Sequence, residues 1–329
     1  MLPATLETTQ WGWFDNAQAA GAARQFRRHH RAGNDDAQPQ SGGAGHHHRA
    51  DQETAHRFPG RGPHTLTGPI YIEEAQPGDV LKVTLNKIVP RAYATNFNVP
   101  GMFGQFPNVY PGRPGQISVS RSRQDDDRVP ARHRSAAAGH SRARSAVARK
   151  EPGRYSSVPP GEYAGNMDIR DFVAGTTLYV PVHVPGALLW TGDSHAGQGN
   201  GEVNLTAIET AYKEFNITVE VVKGKPLDFP RIETAKSWIT MGFDQDLNKA
   251  WAQAKAQTVK FLSEQRGVSA EQAEKLMTSV SDCRVSQVVN IKKGIHCLNP
   301  KEYARQGRHG APDQGDVEIP TSRTSRTPT

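Results

Sequence analysis

Between Leu188 and Glu209 the chain reads LLWTGDSHAGQGNGEVNLTAIE, and three groups suited to metal binding or acid/base work stand close together there: Asp193, His195 and Glu202. Gln198 lies among them, and Gly197, Gly199 and Gly201 space them. Glycines let a backbone take left-handed conformations and pass close to a ligand. In an extended segment, Asp-x-His puts both side chains on one face. A catalytic zinc typically takes about three protein ligands from His and carboxylates and keeps one position open. Asp193, His195 and Glu202 are the right types for that. The plainer alternative is that Asp193 and His195 satisfy backbone groups of a tight turn. Glu202 reads equally as ligand or as general base.

The surrounding pattern indicates what must position these groups. A largely apolar, strand-like run from Leu178 to Trp190 precedes them, and alternating Val203, Leu205 and Ala207 follow. The candidates are therefore expected on a glycine-rich turn between two strands. Glu209 shares the face of Val203, Leu205 and Ala207, which makes it a second carboxylate candidate.

Further strands are expected around Ile70 to Ile72, from Val80 to Ile88 after a Pro77-Gly78-Asp79 turn, at Phe215 to Val222, at Trp238 to Met241 and around Val285 to Ile291. Two helices come late. One has Asp244 and Asp246 in an acidic first turn and stops at Gly267; the other is capped by Ser269 with Gln272 in capping-box position. The fold class this predicts is mainly β with α (α+β), a sandwich- or barrel-like core carrying two helices in the C-terminal half. Trp11, Trp13 and Phe14 form a cluster that must pack on something.

The formal charge of +7 suggests at first an acidic partner such as nucleic acid. Its distribution argues against one. Residues 17–57 hold six Arg, no Lys and four acids, and residues 112–149 hold nine Arg, no Lys and three acids. The rest of the chain sums to about −1. Neither segment interleaves aromatics with its arginines as single-strand binders do, so no nucleic-acid partner is expected. His46, His47 and His48 read as an exposed run rather than a metal site. No apolar run approaches the roughly 20 residues of a membrane span, and the first residues lack a signal-peptide pattern. Two cysteines, Cys283 and Cys297, make no disulfide framework and fit a reducing compartment, so the cytoplasm is the expected location.

The motifs PGDVLKVTL, PGMFG, GNMD, TGDSHAGQGNGEV, MGFDQDLNKA and a final RVSQVVN followed by KGIHC together resemble the acetamidase/formamidase family, in the family's order. The resemblance covers roughly residues 1–16, 59–111 and 150–300. It implies a mostly β fold and hydrolysis of a short aliphatic amide, formamide or acetamide, to ammonia and the carboxylate. It also implies a homo-oligomer without membrane partners that depends on a divalent metal, with zinc the expected ion, and that uses no Ser or Cys nucleophile.

For that chemistry, water activated by the metal is the expected nucleophile, with a carboxylate moving the proton. Asp193, His195 and Glu202 are then the expected ligands. Asn166 and Asp168 in GNMD are expected to line the site, an Asx-turn being the alternative. Gln198 and Asn98 are expected to orient the substrate amide. His64, in GPHTLTGP, matches the family but reads as structural. Neither cysteine has an evident base partner.

Segments 17–57 and 112–149 depart from the family. Both show Arg, Ala, Gly, Ser and His where Val, Ile, Leu and Lys are expected, as a shifted frame of a GC-rich gene gives. Reading Asn34 to Gln40 one base later permits a His-containing stretch of the family's kind. The expected organisation is one amidase-like β-rich domain over 1–300, interrupted by these two disordered, out-of-frame stretches, with a disordered tail at 301–329. Its alternative function is that of a catalytically impaired member.

Overall fold

The computed structural model describes residues 8–16, 30–32, 61–91, 93–97, 101, 103–109, 117–120 and 142–304. Two antiparallel sheets and a strand pair make up most of them. In the first sheet the neighbours run β1 (Thr9–Trp11), β4 (Thr65–Ile70), β11 (Leu189–Gly197), β12 (Ile208–Thr210), β6 (Tyr93–Asn96) and β7 (Ile117–Ser120), with β8 (Arg142–Ala146) pairing β11 off that path. The second runs β16 (Asp282–Gln287), β17 (Lys293–Pro300), β15 (Ser237–Asp244), β14 (Arg231–Glu233), β10 (Thr177–Pro181), β5 (Val80–Pro90), β13 (Tyr212–Val222) and β3 (His30–Ala32). The pair is β2 (Trp13–Asp15) with β9 (Arg154–Ser156).

Strand alternation explains the core between the sheets. Leu81, Val83 and Leu85 of β5 are fully buried while Lys82 and Thr84 are only partly so. They join Leu178 of β10, Ile217 of β13 and Ile239 of β15 from the second sheet, and Leu66 of β4 and Trp190 of β11 from the first, in one apolar cluster. The fold is thus mostly β with a few helices. No described helix is long and apolar enough to cross a membrane.

Helix α1 (Leu247–Arg266) lies on β15. A Cβ at Gly242 would stand 2.4 Å from Ala250 O and Ala254 N, so only glycine lets the helix backbone settle directly on the sheet. Asp246 caps α1 by accepting from the amides of Asn248 and Lys249, so the helix begins after the acidic pair rather than with it. Gly267 ends it in the left-handed conformation, and Ser269 and Gln272 form a full capping box on α2 (Ala270–Val280).

Several expectations change. The apolar run Leu178 to Trp190 is two strands in different sheets: Pro185 and left-handed Gly186, Ala187 and Leu188 break it. A run apolar but for His183 has no period that would reveal the break. Val203 to Ala207 is turn rather than strand, with Leu205 at φ 121°. Residues 282–300 form a hairpin, β16–β17, and its opposed Cys283 and Cys297 are joined in a disulfide. Most of 17–57 and of 112–149 lies outside the described residues, but β3, β7 and β8 fall within them. The tail expected from 301 starts with a short helix, α3 (Lys301–Ala304), and the remainder lies outside the described residues.

Candidate active site

Two of the three candidate groups, Asp193 and His195, do not sit on a turn. They belong to β11, all nine residues of which are buried. That strand is paired along both edges, with β8 on one and β4 followed by β12 on the other. Close approach to β4 demands glycine at 192, where a Cβ would lie 2.4 Å from Thr65 O. The glycine-rich turn begins only after Gly197, and Glu202 sits in it, itself buried.

Cross-strand pairing brings in Glu209. Its backbone stands opposite His195 in the β11–β12 register. Glu209 Oε2 lies 3.2 Å from His195 Nε2, and Glu209 Oε1 accepts from the Ala207 amide at 3.0 Å. Asp193 Oδ1 is 3.4 Å from the same imidazole nitrogen. On the other ring edge, His195 Nδ1 meets Gln198 Oε1 at 3.1 Å, and Gln198 Nε2 donates to Asp168 O at 2.9 Å. Gln198 therefore ties the β11 histidine to the GNMD loop.

That loop supplies Asp168, whose carboxylate accepts from Asn290 Nδ2; the same amide reaches Asn166 O at 3.2 Å. Asn290 belongs to the RVSQVVN motif, but no local pattern marks it as a site residue, because only the chain crossing between β16 and β17 brings it here. His64 also closes on the cluster. Its Nε2 lies 3.6 Å from Asp193 Oδ2 while its Nδ1 meets Ser157 Oγ at 2.7 Å. Asn98 lies outside the described residues.

Asp168, Asp193 and Glu202 take φ of 50°, 50° and 41°. Non-glycine residues rarely adopt this left-handed backbone, and where they do it is held by their surroundings and often marks function.

The donor set fits a cation. Ligand atoms of Asp168, Asp193 and His195 all lie within 4.8 Å of one another, and so do those of His195, Glu202 and Glu209. His195 belongs to both groups. Buried carboxylates at this density call for positive charge. The imidazole registers that demand. Burial favours its neutral form, but Glu209 and then Asp193 outweigh burial and hold His195 well above the usual histidine pKa. A divalent ion would answer the same demand by displacing the proton.

Known proteins resemble this chain in sequence and in fold. The model of the acetamidase/formamidase family matches residues 127–301, just over half of the chain. An acetamidase of Mycolicibacterium smegmatis is 40% identical over 68 residues, which span 21% of this chain but only 17% of that protein. A formamidase of Methylophilus methylotrophus is 24% identical over 312 residues, covering 71% of this chain and 75% of the relative. The crystal structure of an acetamidase from Bacillus halodurans superposes with a TM-score of 0.75 at 25% identity, over 92% of this chain and 97% of that one.

Proposed function

Since this chain belongs to the acetamidase/formamidase family, we propose that it hydrolyses a short aliphatic amide, formamide or acetamide, to ammonia and the carboxylate. The observation that carries this reading is the meeting of buried Asp168, Asp193, His195 and Glu202 with half-buried Glu209, three of the carboxylates being on left-handed backbone. Asp193 and His195 would hold a divalent ion, with Asp168 or Glu202 beside them; a mixed imidazole and carboxylate set suits zinc. Such an ion, when bound, supplies Lewis acidity toward a water and the amide carbonyl.

The protein's own groups do the rest. Glu209 fixes the His195 ring from the neighbouring strand. Gln198 holds the opposite ring nitrogen and so sets which one faces the carboxylates. As water oxygen bonds to the carbonyl carbon, Glu202 takes the released proton on a carboxylate oxygen and gives it to the nitrogen as the C–N bond breaks. Asn166 and Asp168 orient the amide.

The proposed protein is a cytoplasmic homo-oligomer. The Cys283–Cys297 bond pulls against that compartment, since disulfides are rare where thiols are kept reduced. A second reading, a catalytically impaired member, is supported by the two Lys-free, Arg-rich segments, the latter of which ends in the strand that pairs β11. Ammonia release from formamide and acetamide, with and without a chelator, decides between the two. Release abolished by the chelator and restored by zinc is expected; no release from folded, zinc-loaded protein would favour the impaired chain, and a gene sequence showing shifted frames would explain it.

A further inference from the structure

Asp193 and His195 are held by the pairing of β11, and Glu209 by that of β12, but Asp168 and Glu202 lie outside the strands. Each completes a different group of ligand atoms: Asp168 with Asp193 and His195, Glu202 with His195 and Glu209. Something other than sheet register must set both, and must hold the left-handed backbone each adopts. The segment that leaves β16 at Gln287 and turns toward β17 reaches both.

Gln287 shapes that turn. It is fully buried and uses both ends of its carboxamide. Oε1 accepts from the amides of Val289 at 2.9 Å and Asn290 at 3.0 Å, while Nε2 donates to Lys292 O at 2.7 Å. A carboxamide donates and accepts at once, which an ionised carboxylate of the same length cannot do. The turn so formed points buried Asn290 at the GNMD loop, where Nδ2 donates to Asp168 Oδ2 and, at 3.2 Å, to Asn166 O. The backbone on either side of Gln287 holds the other segment. Ser286 O accepts from the Gly201 amide at 2.8 Å, and the Val288 amide donates to Gly201 O at 3.2 Å, a parallel bridge between Gly201 and Gln287. Glu202 is the next residue in the chain. The disulfide between Cys283 and Cys297 ties β16 to β17, so the turn stands on a fixed base.

We propose that Gln287 and Asn290 are positioning residues, and that their turn clamps Asp168 and Glu202 as a pair about His195. Asn290 acts on Asp168 alone. Gln287 acts on both, through Asn290 on one side and through its own backbone neighbours on the other. The consequence for a bound ion rests on the function proposed above; the consequence for the backbone does not.

The test is hydrogen–deuterium exchange of the purified wild type, Gln287→Ala and Asn290→Ala, read by mass spectrometry. Gln287→Ala should speed exchange about tenfold in residues 165–169 and 198–203 together, the scale of one lost hydrogen bond to a charged group, and leave α1 unchanged. Asn290→Ala should do so in 165–169 alone. Zinc affinity, measured by competition with a chromophoric chelator, should fall roughly 10–100-fold in both variants, as when a group behind a metal ligand is removed. Exchange in Gln287→Ala that stays unchanged in either segment would overturn the clamp. So would exchange that rises equally in α1, because a merely structural role loosens the whole protein. Unchanged zinc affinity beside a wild type that binds zinc would overturn it as well. If Gln287→Ala does not fold, Asn290→Ala decides: faster exchange confined to 165–169 supports the clamp and unchanged exchange there overturns it. A wild type that binds no zinc contradicts the metal reading instead, and the exchange pattern alone then judges the clamp.

Discussion

Two histidines, His195 on β11 and His296 on β17, are both almost fully buried in strands, yet their surroundings differ in kind. His195 faces Asp193 and Glu209 within 3.4 Å and belongs to both groups of clustered ligand atoms. His296 has Ser286 Oγ at 3.1 Å and a single carboxylate, Asp171, at 3.7 Å. Three carboxylate residues around His195 sit on left-handed backbone; none of Asp171, Ser286 and His296 does. The His296 group lies between β16, β17 and the loop after GNMD. Its Ser-His-Asp composition suggests hydrolase chemistry, but Ser286 is fully buried and its backbone O receives the Gly201 amide. Composition alone does not separate the two groups; charge excess and backbone strain do.

The contrast breaks most visibly on truncation. His195→Ala should lower kcat/KM for acetamide by roughly 10²–10³-fold, the scale of removing one preorganised electrostatic group. In the metal-free protein its stability should fall as well, because Asp193 and Glu209 lose the buried positive charge that offsets them. His296→Ala should cost stability alone, about 2–3 kcal/mol through a buried group left unpaired, while changing kcat/KM less than about tenfold. Urea unfolding alongside ammonia release measures both. Equal activity losses in the two variants would erase the distinction.

A smaller effect sharpens the same comparison through pH. The His296 imidazole beside Asp171 holds its carboxyl below the usual range against the opposing effect of burial, and Arg170 and Arg284 add to this. A carboxylate with a depressed folded pKa contributes stability that is fully present above its unfolded pKa, about 3.9. That contribution is lost as pH falls through the folded value. Wild type should therefore lose stability more steeply than Asp171→Asn below about pH 4, as read by unfolding midpoints between pH 5 and 2.5. Parallel curves would mean that Asp171 does not contribute in this way.

Much of the frame is legible in the sequence. The caps at Ser269 and Gly267 and the alternation of Val80 to Ile88 rest on local chemistry, which sequence carries directly. Types and spacing also point to Asp193, His195 and Glu202 as one neighbourhood. What stays hidden depends on pairing across strands. Glu209 reads as a lesser candidate because only the β11–β12 register sets it against His195. Asn290 and His64 arrive from 95 residues downstream and 131 upstream of His195 in the chain, and no local pattern encodes their approach. The polar strand β11 reads as a turn because charged residues buried on a central strand contradict the usual period, and the cluster around them supplies the missing reason.

The most direct measurement is the metal content of purified protein after exhaustive dialysis, for the wild type and for Asp193→Ala. If Asp193 and His195 hold a divalent ion, the wild type retains it in near-stoichiometric amount and the variant loses it while staying folded. A wild type that cannot be loaded with zinc, or a variant that binds it as well as the wild type, would contradict the account.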